Sequence, residues 1–285
     1  MKKFIGIISA LALMSSANVA LAKKPRHPLV NLMNVITVSA ENGDFTSPVE
    51  AIESITDATD TNPYLIIIGP GVYDLGSTNL VMKEWVSIQG SGQEATKITG
   101  AVITGLRATV EGKNNTTLTD LTIENTGGGT ESIAIRNNNA SPRIERVTAI
   151  ASGGVEFNIG IYNHGAFSPM ITTFSPTITN VTASASGAAI HNVGVLIVSH
   201  SSPTMINVIA SGSGGTYNWG VNSTDNASPF IQDSILEGEP FGIIISENSP
   251  GTRVVNSKII SGVYDDATGT QCRGNYDENL VDVDC

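Results

Sequence analysis

The chain has 285 residues, with 40% hydrophobic, 14% charged and 5% aromatic side chains, 29 Gly, 24 Asn and a formal net charge of −11. The hydrophobic share supports a large core and excludes a disordered chain. So few charges exclude a coiled coil or helical bundle, and the acidic balance excludes binding nucleic acid through a basic surface. Gly, Asn, Ser and Thr with scattered Val and Ile suit many short strands joined by turns.

Residues 1–22 have the layout of an export signal: Lys2-Lys3, an apolar run from Phe4 to Met14, and a small-x-small site at Ala20-Leu21-Ala22. The run is too short to anchor in a bilayer, and no later apolar stretch reaches the roughly 18 residues of a membrane helix. The mature chain is therefore expected in the periplasm or outside the cell, without membrane insertion. Losing Lys2 and Lys3, and no acid, takes its net charge from −11 to −13. Residues 23–34 form a short basic, Pro-containing lead-in.

A strand signal at Val35–Val38 comes next, followed by one helix expected at about 47–57. Ser47 is a good N-cap, Pro48 suits the first helical position, Glu50 completes a capping box, and Val49, Ile52 and Ile55 form a stripe. Tyr64-Leu65-Ile66-Ile67-Ile68, ended by Gly69-Pro70-Gly71, has the continuous apolar run of a strand buried on both faces.

From there onward the chain repeats itself. Ser-Pro pairs begin at Ser141, Ser168, Ser175, Ser202, Ser228 and Ser249. Seven or eight residues earlier lies a small residue between two apolar ones: Ile133-Ala134-Ile135, Ile159-Gly160-Ile161, Val193-Gly194-Val195, Trp219-Gly220-Val221 and Phe241-Gly242-Ile243. Ser141 to Ser168 and Ser175 to Ser202 are each 27 residues, and the near-duplication at Ser168 and Ser175 is a seven-residue insertion. A unit this short cannot bury its own apolar face, but stacked units can. The expected fold is all-β: a single right-handed parallel β-helix, or solenoid, over 35–285, with coils over about 64–262 and a C-terminal cap at 263–285. Strand alternation predicts that both apolar columns flanking the small residue point into the core. The open ends of a solenoid expose strand edges; the helix is expected to cap the first coil. Cys272 and Cys285, in an exported chain, are expected to form a disulfide that staples the other end.

These residues resemble the pectin-lyase-like superfamily of right-handed parallel β-helices, and the first coils resemble its pectinesterase branch. Ile36-Thr37-Val38, Gly43-Asp44-Phe45-Thr46, Gly71-Val72-Tyr73, Val86-Ser87-Ile88-Gln89-Gly90 and Ser132-Ile133-Ala134-Ile135-Arg136 carry the similarity, over roughly the first 100 mature residues. The resemblance implies the fold and a carbohydrate-active ancestry, but the catalytic motifs do not carry over. Glu131 stands where the family has an oxyanion-stabilising Gln, and Gly154 where it has its first Asp. The only echo of the nucleophile segment, Glu156-Phe157-Asn158-Ile159-Gly160, arrives about one coil early with Glu in place of Asp. Glu131 and Glu156 are thus the only catalytic candidates, and both are poor ones. His27, His164, His191 and His200 lack metal-ligand spacing, so neither metal nor cofactor is expected.

Asn158, Asn192 and Asn218 recur two residues before the repeat glycine. They read either as an internal amide ladder or as a polar strip facing a sugar chain. Tyr162 and Tyr217 are candidate sugar platforms, although alternation with Trp219 predicts that Tyr217 faces the core. The function expected is a non-catalytic exported module whose partner is a polysaccharide or cell-surface glycan. The alternative is a divergent pectinesterase-like hydrolase.

Overall fold

The computed structural model describes residues 34–103, 105–166 and 174–284. The expected export signal, the lead-in before Asn34, most of the seven-residue insertion and Cys285 lie outside the described residues. The described residues fall within one compact unit, Asn31–Cys285. Its strands pair in parallel one repeat apart: Thr177 lies beside Thr204, and Thr204 beside Phe230, steps of 27 and 26 residues. The step from Arg143 to Thr177 is 34 residues because the insertion lies between them.

Two hydrogen-bonded sheets make up the solenoid wall. In the larger, Thr117–Asn125, Arg143–Ala151, Thr177–Ser186 and Thr204–Ser213 are long strands. Each has one left-handed residue within it, Asp120, Arg146, Asn180 or Asn207, at φ between +52° and +59°. Asp233 and Asn256 occupy the same register in the next coils, at φ +50° each. Asn and Asp tolerate this conformation best among residues with side chains, so their recurrence here marks where the wall bends. Arg146 is the exception, and Asp120 grips its guanidinium through two bonds, Nε–Oδ1 at 2.6 Å and Nη2–Oδ2 at 3.0 Å. We call this the corner sheet.

The smaller sheet, which we call the flat sheet because its strands carry no left-handed residue, has eight strands, among them Glu131–Asn138, Phe157–His164, His191–Val198, Tyr217–Ser223 and Pro240–Ile245. Its inner column, Ile135, Ile161, Val195, Val221 and Ile243, belongs to the main core with Ile123, Ala149, Ala183, Ala210 and Leu236 of the corner sheet. The repeat glycine marks the closest approach of the two walls. A Cβ on Gly194 would stand 2.5 Å from the Ser211 nitrogen and 2.9 Å from the Ala183 carbonyl oxygen.

That close approach corrects the expected alternation. Ile133, Ile159, Val193, Trp219 and Phe241 do stack in register, but not in the main core. Buried Asn158 and inward-directed Gly160 bracket Ile159, so Ile159 faces outward. Pairing then jumps from Ile159–Val193 to Ile161–Val195, and the bend at the glycine turns Ile161 inward as well. Ile133 and Ile159 join a separate buried cluster with Ala108, Tyr162 and Val198.

The helix runs over Pro48–Ser54, shorter than the sequence suggested. The Ser47 hydroxyl accepts the Glu50 N–H at 3.5 Å, and at the far end the Ser54 hydroxyl turns back onto the Ala51 carbonyl at 2.7 Å. Ile55 is already extended, and with Ala51 and Ile52 it is buried against the first strands. The Tyr64–Ile68 strand is buried on one face only, since Ile67 is 37% exposed between fully buried Ile66 and Ile68. At the other end, Gln271–Arg273 extends the corner sheet, and Asn275–Tyr276 pairs antiparallel with Asp282–Val283. No helix among the described residues is long and apolar enough to cross a membrane.

Candidate functional site

Because Ile159 and Trp219 face outward, so do the residues two positions before them. Glu131, Phe157, His191 and Tyr217 therefore form one outer column across four adjacent strands. Asn218 pairs with Pro240, which sets exposed Glu239 next in that column. The rings stack as the strands do: Phe157 to His191 at 4.7 Å and His191 to Tyr217 at 5.2 Å, with planes 17° and 20° apart. Trp219, half-buried in the neighbouring column, is tilted against His191 at 5.1 Å and Tyr217 at 5.9 Å. Phe241 and Tyr264 extend the strip at 5.5 Å. Tyr217 and Tyr264 are the exposed members, at 45% and 42%. Among the described residues, Trp219 Nε1 and His191 Nδ1 have no hydrogen-bond partner.

A second outer column reads Glu111, Arg136, Tyr162, Leu196, Asn222. Arg136 lies 3.8 Å from Glu111 and 5.8 Å from the centre of the Tyr162 ring. Burial pushes the Glu111 carboxyl up, against the opposing pull of the Ala108 N–H at 2.9 Å and of Arg136. It also raises the Tyr162 phenol and lowers the His191 imidazole, which sits between two rings. Glu131 is raised chiefly by burial, with Arg136 opposing and the charge of Glu156 adding to the rise. His164 Nδ1 meets Asn138 Oδ1 at 3.1 Å, and its ring edge meets Tyr162 at 5.9 Å.

The predicted asparagines lie on the opposite side of the flat sheet. Asn158 Nδ2 donates to Asn192 Oδ1 at 3.2 Å, and Asn192 Nδ2 to Asn218 Oδ1 at 3.0 Å. Each Oδ1 also accepts a turn N–H, from Gly154, Ala188 or Gly215, at 2.9 Å. These amides form an internal ladder, with Asn158 and Asn192 fully buried and Asn218 nearly so. Tyr162 does face outward but is 8% exposed, whereas Tyr217, expected inside, is the open one. Glu131 and exposed Glu156 lie on adjacent coils, close enough to couple. The remaining pectinesterase-like echo serves the fold, since Asn158 and Gly160 point inward. No group of three or more metal-ligating side chains exists among the described residues. The aromatic strip was readable as Phe157, His191 and Tyr217 recurring three residues before the repeat glycine, but assuming strict alternation hid it.

No family model and no curated protein matches the sequence. Solved structures do match. The rice weevil pectin methyl esterase superimposes with a TM-score of 0.59 at 12% identity, covering 88% of this chain and 91% of that one. The mannuronan C-5 epimerase A-module of Azotobacter vinelandii gives 0.52 at 19% identity, covering 80% and 70%. Escherichia coli YbhC gives 0.52 at 10% identity, covering 95% and 91%. The fold is the parallel β-helix of the pectin methylesterases. Identity this low establishes the fold and leaves the chemistry to the residues. Those residues are a stack of rings on the outer face of the sheet, open at Tyr217 and flanked by acids.

Proposed function

We propose that the mature chain is an exported, non-catalytic β-helix module that binds polysaccharide along the outer face of the flat sheet. The observation that carries this reading is the strip from Phe157 through His191 and Tyr217 to Trp219, stacked in register and open at Tyr217. The roughly 4.8 Å step between coils is close to the length of one pyranose in an extended chain, so successive sugars can meet equivalent positions. Ring edges supply apolar contact, while the Tyr217 hydroxyl supplies a polar tip. The signal-like layout of residues 1–22 supports export to where such polymers occur. The helix Pro48–Ser54 covers the first coil, and a Cys272–Cys285 bridge staples the last.

A second reading, a divergent pectinesterase-like hydrolase, draws on one observation: Glu131, its carboxyl raised by burial, stands near Glu156 and Arg136. It lacks an Asp nucleophile and an oxyanion-stabilising Gln. A glycan array and an ester-release assay on the purified mature chain separate the two. Binding lost in Tyr217→Ala/Trp219→Ala, with no ester release, supports the module. Ester release above background that disappears in Glu131→Gln or Glu156→Gln replaces it with the hydrolase.

A further inference from the structure

We propose that the strip selects a glycan bearing amino groups over one bearing carboxylates, an inference that rests on the polysaccharide-binding reading of this same face. The aromatic column is bracketed by glutamates: Glu131 at one end, exposed Glu239 at the other, and exposed Glu156 beside the first. Four strand steps separate Glu131 from Glu239, roughly 19 Å at the ordinary inter-strand spacing. Arg136 is the only Lys or Arg in the strands of the flat sheet. Its side chain is only 17% exposed, 3.8 Å from Glu111 and against the Tyr162 ring, so little of its guanidinium is open to a uronate. His191, its imidazole lowered by burial between two rings, adds no positive charge at neutral pH.

A uronate chain laid on this column would bring its carboxylates toward Glu131, Glu156 and Glu239, with only the largely buried Arg136 in the sheet to receive them. An ammonium meets the reverse situation. Each end of the column provides a carboxylate to pair with it. Neutral sugars keep the apolar contact and lose the ionic part, so they should rank between the two.

The test is calorimetry on the mature chain with three oligomers of equal length: a β-1,4-glucosamine oligomer, its fully N-acetylated counterpart and an oligogalacturonate. At mildly acidic pH and low salt the glucosamine oligomer should bind about tenfold more tightly than the acetylated one, as two partly exposed ion pairs allow. High salt should close most of that gap. Glu131→Gln and Glu239→Gln should each shrink it about threefold, while Glu41→Gln, an exposed acid away from the strip, leaves it unchanged. An oligogalacturonate that binds as well as the glucosamine oligomer overturns the charge selection, as does a gap insensitive to both glutamate changes. If no oligomer binds, or if Tyr217→Ala/Trp219→Ala binds all three unchanged, the polysaccharide reading itself falls.

Discussion

Asn192 is fully buried, yet its amide makes every bond it can reach. It receives the Ala188 N–H at 2.9 Å and the Asn158 amide at 3.2 Å, and donates to the Ala188 carbonyl and to Asn218 Oδ1, both at 3.0 Å. Asn192→Ala leaves a backbone N–H and two neighbouring amides short of partners inside a dry wall, and should destabilise by about 3 kcal/mol. Urea unfolding checks it: a loss below about 1 kcal/mol would mean that water replaces the amide. One residue earlier, His191 supplies a pH probe. Its folded pKa is depressed by burial, so the unfolded chain takes up the proton first. This group therefore lowers stability as pH falls below the ordinary 6.5, and has no such effect above it. In a Trp85→Phe background, Trp219 emission should titrate with a midpoint below 6.5 and cease to titrate in His191→Gln. A midpoint at or above 6.5 would show that the imidazole is solvated or held charged.

Strand by strand, the glycines separate what the sequence reveals from what it conceals. The 27-residue spacing and the small residue between apolar neighbours suffice to give the coil, its register and both apolar columns. They do not reveal on which side the column before the glycine lies, because period-two alternation fails where the backbone bends against the opposite wall. The amide ladder was legible, since a buried Asn column has few alternative uses. The strip was not, since Trp219 was assigned inward and drew Tyr217 with it. Glycine is required at this bend for space. Gly194→Ala would push a methyl to within 2.5 Å of the Ser211 nitrogen and 2.7 Å of the Gly220 carbonyl oxygen, all immobile backbone. We expect a loss of about 3 kcal/mol or more, the upper range for overpacking. Gly128, whose nearest neighbour would be 3.8 Å away, should accept alanine with little change. Thermal unfolding of the two variants compares them directly; equal midpoints would refute the close-packed wall.

For the molecule as a whole, a stack of coils is only as secure as its two ends, because each coil is held by its neighbours. At the start, the short helix lays Ala51, Ile52 and Ile55 on the first strands. At the finish, no helix is available, and the chain closes the edge by reversing direction. Asn275 pairs with Val283 and Tyr276 with Asp282, which runs the last described residues back toward the strand that holds half-buried Cys272. Cys285 lies outside the described residues; the Cys272–Cys285 bridge proposed for an exported chain would tie this last turn down in an oxidising compartment. Closing a loop of 14 residues should add about 3 kcal/mol at most. Because the bridge constrains only the last turn, reduction should loosen the segment around Tyr264 to Asp284 first and leave the β signal of the stacked coils intact. Mass spectrometry of the mature protein, before and after alkylation, should find no free thiol. Two alkylated cysteines would reject the bridge, and loss of the whole β signal on reduction would show that the last turn holds the stack together instead of merely ending it.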